Sequence, residues 1–292
     1  MNYLLSALFT LLTFIGFAQP NTEVYLLDIS ITDEFTVSKV QNISQNDGYD
    51  NQPSFKNNEE LLFAKTRNGQ TDIAYYNLQQ KTTEWLSHTP QGGEYSPIQI
   101  PDSEYISAVR LDTTGLQRLY RYDTEDNNSK MMVDNLQVAY YSFLNKEKAL
   151  AAVLDGDELA LTVINFSKKQ VDTVVRNVGR SLHRIGATEM MSYTFLNDEG
   201  NYDVYQWDMA KGESFFVAQL PIGIQDHIWL DEARLLIGSG SQLFMLDLFG
   251  EGDWEKIGDV ASSNISEITR MAISPDKKHL ALVGLPKDTS DK

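Results

Sequence analysis

Apolar positions along this chain come in short runs of about four to eight residues, rich in Val, Ile, Leu, Tyr and Phe, and polar turns carrying Gly, Asn or Asp separate them. No long stretch holds the 3.6-residue period of an amphipathic helix. The pattern predicts an all-β protein. A larger unit recurs roughly every 43 residues, which is the length of one propeller blade. Its second strand is the easiest to follow: Leu61–Ala64, Tyr105–Val109, Ala149–Val153, Met191–Thr194, Leu235–Ile237 and His279–Val283. A third strand follows at Asp72–Tyr76, Arg118–Tyr122, Glu158–Ile164, Asp203–Trp207 and Gln242–Asp247, with Gly-containing turns between the two. Fourth strands read at Thr83–Leu86, Lys130–Val133, Thr173–Val175, Ser214–Val217 and Trp254–Ile257.

The last unit stops after two strands, Ile268–Ile273 and His279–Val283. Its missing half lies at the other end of the chain, where Glu23–Ile29 matches a third strand and Phe35–Ile43 a fourth. The prediction is therefore an all-β, six-bladed β-propeller of four-stranded blades, with the last blade closed by the N-terminal strands. Closure removes the two long unpaired edges of an open array.

Residues 3–17 change the picture at the N-terminus. They are apolar and uncharged, and they end in Gly16-Phe17-Ala18, small residues at the −3 and −1 positions of a signal-peptidase site. Residues 1–18 are expected to be a signal peptide, with Gln19 as the new N-terminus and residues 19–292 as one propeller domain. A retained anchor is the other reading of the same segment. After cleavage no apolar run is long enough for a membrane span. The chain has no cysteine, which excludes disulfides, thiolate metal sites and an N-terminal lipid-modified cysteine. The net charge of −17 argues against nucleic acid and anionic membranes, and it leaves cationic partners and divalent cations open.

Pro53-Ser54-Phe55 with Arg67-Asn68-Gly69 and Asp72-Ile73, and Ile273-Ser274-Pro275-Asp276 in the last unit, resemble the TolB-type propeller repeat. The same repeat occurs in the propeller domains of prolyl-oligopeptidase-like enzymes. The resemblance spans nearly all of the mature chain. It is clear in the first two units, fair in the last, and degenerate in between. The Phe-Ala-Gln ending of the leader is similar to that of Bacteroidetes-type exported proteins. The resemblance implies a periplasmic or secreted protein that interacts with other proteins. The repeat begins too close to the leader to leave room for TolB's separate N-terminal α/β domain.

Signals for chemistry are sparse. There is no G-x-S-x-G elbow, and Gly238-Ser239-Gly240-Ser241 falls where a hairpin turn is due. The four histidines are not clustered in sequence, although His183 and His227 share a blade position and could be neighbours near the channel. No cofactor is called for. Calcium suits the carboxylate-dense strings Asp155–Glu158 and Asp123–Asp126, which also read as turns.

Loops entering the innermost strands form one mouth of a propeller channel, and loops on a rigid scaffold are the default recognition surface. Register places Asp50 and Gln52, Glu94 and Tyr95, Tyr140, Arg180 and His183, Asp226 and His227, and Arg270 there. The leading expectation is a non-catalytic module that binds an envelope or secreted protein or peptide at this mouth. A glycan-binding or glycan-processing propeller is the second reading, with a carboxylate pair drawn from Asp50, Glu94, Asp226 and Glu267. A third is a docking subunit for a separate hydrolase.

Overall fold

The computed structural model describes residues 19–31, 34–90, 92–126 and 128–287. The expected signal peptide, residues 1–18, lies outside the described residues. In chain order, β1 (Glu23–Ile31) and β2 (Phe35–Asn42) come first. Blade one follows with β3 (Asn51–Phe55), β4 (Glu60–Arg67), β5 (Gln70–Asn77) and β6 (Thr82–Trp85). Blade two holds β7 (Gly93–Gln99), β8 (Ile106–Leu111), β9 (Gln117–Tyr122) and β10 (Ser129–Met131). Blade three holds β11 (Val138–Asn145), β12 (Lys148–Asp155), β13 (Glu158–Asn165) and β14 (Gln170–Arg176). Blade four holds β15 (Val178–Arg184), β16 (Met190–Leu196), β17 (Tyr202–Asp208) and β18 (Glu213–Gln219). Blade five holds β19 (Ile228–Trp229), β20 (Arg234–Ser239), β21 (Gln242–Asp247) and β22 (Glu255–Asp259). Then β23 (Ile265–Ile273) and β24 (His279–Pro286) begin blade six, and β1 and β2 finish it in the order β23-β24-β1-β2. The molecule is an all-β propeller of six four-stranded antiparallel blades.

The second strand of each blade was the most legible because both its faces are covered by neighbouring blades. Leu61, Leu62, Phe63 and Ala64 are all fully buried, as are Ala149–Ala152. A strand buried on both faces reads as a continuous apolar run instead of an alternation. Outer strands such as β14 and β18 mix exposed and half-buried positions. The core is divided accordingly into apolar clusters along the seams between blades. Leu144, Leu150 and Leu161 of blade three pack with Leu182, Met191 and Tyr193 of blade four. The seam between blades one and two holds Leu62, Ile73, Ile106, Ala108 and Tyr122.

Ring closure follows the predicted strand order. Glu23 to Asp28 of β1 pair with Gly284 to His279 of β24. Just before β1, the Thr22 N–H donates to the Gly48 carbonyl (3.0 Å) and the Asp50 N–H donates to the Thr22 carbonyl (3.2 Å). The closing strand is thereby tied to blade one as well as to its own blade.

One of the sequence signals resolves as a turn. Ser239 ends β20 and Gln242 starts β21, and Gly240 between them has φ 54°. The Gly-Ser-Gly-Ser string is that hairpin turn. Asp155 ends β12 and its carboxylate meets the Arg176 guanidinium at 2.6 Å, while Asp123 and Asp126 accept the backbone N–H groups of Glu125 and Asn128. Asp123 and Asp126 hold a turn together, while Asp155 pairs across strand ends.

Candidate functional site: the central channel

The innermost strands surround a central cavity of about 300 Å³, and all six blades contribute to its wall. A second cavity of about 430 Å³, lined in part by Tyr49, Gln225 and Glu267, lies next to it. The two cavities share Arg180, Asp226, Arg270 and Met271, so these side chains stand at the junction between them.

The inner strands reach the axis through irregular pairing. Register shifts fall between Asn51 and Ser54 in β3, Tyr95 and Ile98 in β7, Val138 and Tyr140 in β11, Val178 and Leu182 in β15, and Ile268 and Arg270 in β23. Gln52 and Ser96, within two of these bulges, have φ of 57° and 51°. A bulge breaks the strict in–out alternation of a strand and re-aims a side chain. Tyr140, Arg180 and Arg270 all sit at such shifts and line the cavity. The candidate residues were expected in the loops entering the inner strands. Gln52, Glu94, Tyr95, Tyr140, Arg180 and Arg270 instead lie within the strands, because those strands start earlier than the hydrophobic pattern suggests, while His183 lies in its inner strand as its blade position implied.

At the junction the Arg180 Nε donates to Asp226 Oδ2 at 2.6 Å, and Nη2 contacts the same oxygen. Arg180 Nη2 also donates to the Thr269 carbonyl at 3.2 Å. Both partners of this ion pair are partly buried, and Asp226 is committed to it. Arg270 is placed differently. Its guanidinium carbon lies 5.1 Å from the centre of the Tyr140 ring. Among the described residues no carboxylate stands within ion-pair distance of it. Burial works against the Arg270 charge, but Asp226, Tyr49 and Tyr140 outweigh it and hold the pKa above its ordinary value. Tyr49 is pushed up to about 12 by burial, against the opposing pull of Arg270 and Arg180.

His183 and His227 meet, with ring centres 5.0 Å apart and edge to face. His227 directly precedes β19 and does not belong to that two-residue strand. Ser181 Oγ lies 3.0 Å from His183 Nε2 and 3.2 Å from His227 Nδ1. Ser192 Oγ lies 2.9 Å from His227 Nε2 and accepts the Trp229 indole N–H at 2.8 Å. Burial lowers His183 to about 4, and burial together with His183 pulls His227 well below its ordinary value. Both rings are neutral at neutral pH. His227 is a fully hydrogen-bonded strut between blades four and five, whereas His183 also faces the cavity. Among the described residues no three His, Asp or Glu side chains gather as a metal site.

The structure thus brings Gln52, Tyr140, Arg180, His183, Asp226, His227 and Arg270 to one cavity wall. Within that wall, the Gln52 side-chain oxygen is occupied by the Ser96 N–H at 2.8 Å. The other three candidates lie elsewhere. Asp50 is fully buried and accepts from Lys65 Nζ (3.1 Å), the Thr66 N–H (2.9 Å) and Asn46 Nδ2 (3.2 Å). Glu94 is fully buried between blades one and two, where Ser87 Oγ and Tyr122 Oη each donate to it at 3.2 Å. Tyr95 lies outside both cavities, edge-on to Tyr49 at 6.0 Å. Sequence reasoning passed over Ser181, Ser192 and Trp229, which fix the histidines. The two-residue spacing of Ser181 and His183 along a strand was the only signal for any of them.

No protein-family model matches the sequence, and no curated protein matches it. Solved structures do match in shape. The putative TolB from Agrobacterium tumefaciens has a TM-score of 0.69 at 10% identity, over 90% of this chain and 98% of that one. The gluconolactonase XC5397 from Xanthomonas campestris has a TM-score of 0.63 at 10% identity, over 93% and 98%. TolB from Acinetobacter baumannii has a TM-score of 0.60 at 11% identity, over 92% of this chain and 65% of that one. This chain therefore spans about two thirds of the length of that TolB. Among the described residues no helix is long and apolar enough to cross a membrane. The protein has a TolB-like six-bladed β-propeller fold.

Proposed function

We propose that this protein is an exported recognition module whose channel mouth holds a segment of a protein or peptide partner. The observation that supports this most is the junction itself. Arg180, Asp226 and Arg270 from blades four, five and six stand where the two cavities join, and Tyr140 of blade three lies against Arg270. Such a mixed aromatic and charged lining on a rigid ring suits recognition of a chain segment.

Glycan hydrolysis by an acid pair fits less well. It needs two carboxylates flanking a cleft. Of the four candidates, Asp50 and Glu94 are buried in hydrogen bonds and Asp226 is held by Arg180, which leaves Glu267 at the mouth. Recognition without hydrolysis is the reading these positions favour. The gluconolactonase and the TolB proteins share the fold with this chain at 10–11% identity, which does not separate their functions here.

The test is a site-specific crosslink. Tyr140 is replaced by a photo-reactive phenylalanine analogue and the protein is illuminated in an envelope extract. The expected result is a discrete partner whose crosslinked peptide maps to position 140, and its loss when Arg180 and Arg270 are both changed to Ala. Crosslinking only from an analogue at a blade's outer edge, with none from 140, would overturn the reading.

A further inference from the structure

The charge at the centre of this protein is opposite to that of the whole. The chain carries a net −17. The central cavity nevertheless presents three guanidinium groups, Arg180, Arg184 and Arg270, against one carboxylate, Asp226. A cavity with low-dielectric walls focuses the field of such a cluster on any anion that enters it.

The three arginines are not equivalent. Arg180 is engaged by Asp226 and by the Thr269 carbonyl. Arg184 is exposed at the end of β15 and reaches the Thr188 carbonyl. Arg270 has its guanidinium over the Tyr140 ring and no carboxylate within ion-pair distance among the described residues. Stacking uses the face of a guanidinium. Its N–H donors lie in the plane, at least one of them near the Tyr140 hydroxyl, and their planar fork matches a carboxylate. Arg270 is half-buried and feels Asp226 only beyond contact distance, so an incoming carboxylate can still gain a direct charge-assisted pair with it.

We propose that Arg270 is a carboxylate seat: one carboxylate of an inserted peptide, from its C-terminus or from an Asp or Glu side chain, docks on Arg270 between the two channel cavities. This rests on the recognition reading above and names the chemistry of the partner. The geometry favours a single point anion. A polyuronate carries a carboxylate on every ring and calls for a row of cations, whereas here the cations converge on one junction. The Tyr140 face that a sugar would stack on is occupied by Arg270.

The experiment uses the purified protein immobilised at low salt and three pools of random heptapeptides. One pool has free C-termini and no Asp or Glu. The second is amidated and contains one Asp or Glu. The third is amidated and has neither. Retained peptides are read by mass spectrometry. The expected result is retention of the first or second pool over the third by about tenfold, as for a charge-assisted hydrogen bond. Which of the two is retained tells the α-carboxylate from a side chain. Retention falls as salt rises, falls partly in Arg270→Lys, and is lost in Arg270→Met, with melting temperatures reported alongside. The salt dependence is measured on the unaltered protein and stands even where Arg270→Met fails to fold.

Equal retention of all three pools, with loss on Tyr140→Ala, overturns the carboxylate seat and leaves the recognition reading intact. Retention of no peptide overturns the carboxylate seat, while the crosslink at 140 independently decides the recognition reading. Displacement of retained peptides by trigalacturonate but not by free-acid peptides replaces the peptide carboxylate with a uronate.

Discussion

At the scale of single residues, the buried ionisable groups give this protein two opposed pH responses. Glu94 lies in the seam between blades one and two. Burial pushes its carboxyl from 4.5 up to about 7, and the neighbouring Asp72 carboxylate adds to the rise. Asp72 itself is held by Arg67 at 3.0 Å. The folded state therefore binds more protons than the unfolded state between these two values. Stability from this group is full below the unfolded pKa and is lost as pH rises toward 7, by on the order of 3 kcal/mol. The Glu94→Gln variant should gain stability relative to wild type across that window, read as the difference in urea midpoint at a series of pH values. A constant difference from pH 4 to pH 8 would contradict this.

His183 runs the other way. Its folded pKa is lowered from 6.5 to about 4, so the unfolded state binds more protons in that interval and stability falls as pH drops through it. His183→Gln should lose less stability than wild type on acidification, again as a difference in midpoints. Parallel curves would show that the ring is not kept neutral by the fold. The meeting of His183 and His227 was legible from their shared blade position, but the burial of Glu94 was not. Blade register gives the neighbours, but the direction of each side chain depends on bulges and seam packing that the repeat does not encode.

At the scale of elements, closure of the ring depends on β1. Tyr25, Leu27 and Ile29 of this strand pack with Leu236 and Leu243 of blade five and with Ile268, Leu280 and Leu282 of its own blade. Leu27 is fully buried, so Leu27→Ala should cost about 2–5 kcal/mol, measured by chemical denaturation. Removing residues 19–43 should do more, because β24 would then expose an unpaired edge along Glu23–Asp28's former partners. The truncated protein should melt at a distinctly lower temperature and associate at higher concentration. An unchanged melting temperature would mean that the ring holds without its closing strands. The second strands were visible beforehand because strands covered on both faces are forced to be apolar, and the third strands and this split blade followed from the repeat spacing. The inner strands were not bounded correctly, because they face a polar channel on one side and carry bulges that interrupt their period.

At the scale of the molecule, a net charge of −17 on one ring makes the folded state self-repelling. Added salt screens this over a Debye length of about 8 Å at physiological ionic strength. The melting temperature should rise between 10 mM and 150 mM salt, while peptide retention at the channel falls over the same range. The opposite signs separate a general surface effect from the local cation at the junction. A melting temperature that falls with salt would show that surface ion pairs such as Arg176–Asp155 outweigh the net repulsion.

The sequence by itself determined the ring: the blade length, the number of blades and the joining of the chain's two ends in one blade all follow from the spacing of apolar runs. Burial on both faces of a blade imposes that spacing at every repeat. The channel was decided only by tertiary structure. Arg180 and Asp226 lie in different blades, Arg270 is brought over Tyr140 by bulges in two strands, and Asp50 and Glu94 turn into seams instead of the mouth. A repeat dictates which strand a residue occupies. Which way its side chain points, and which charge it meets, is settled by local irregularities in pairing and by contacts between residues tens of positions apart.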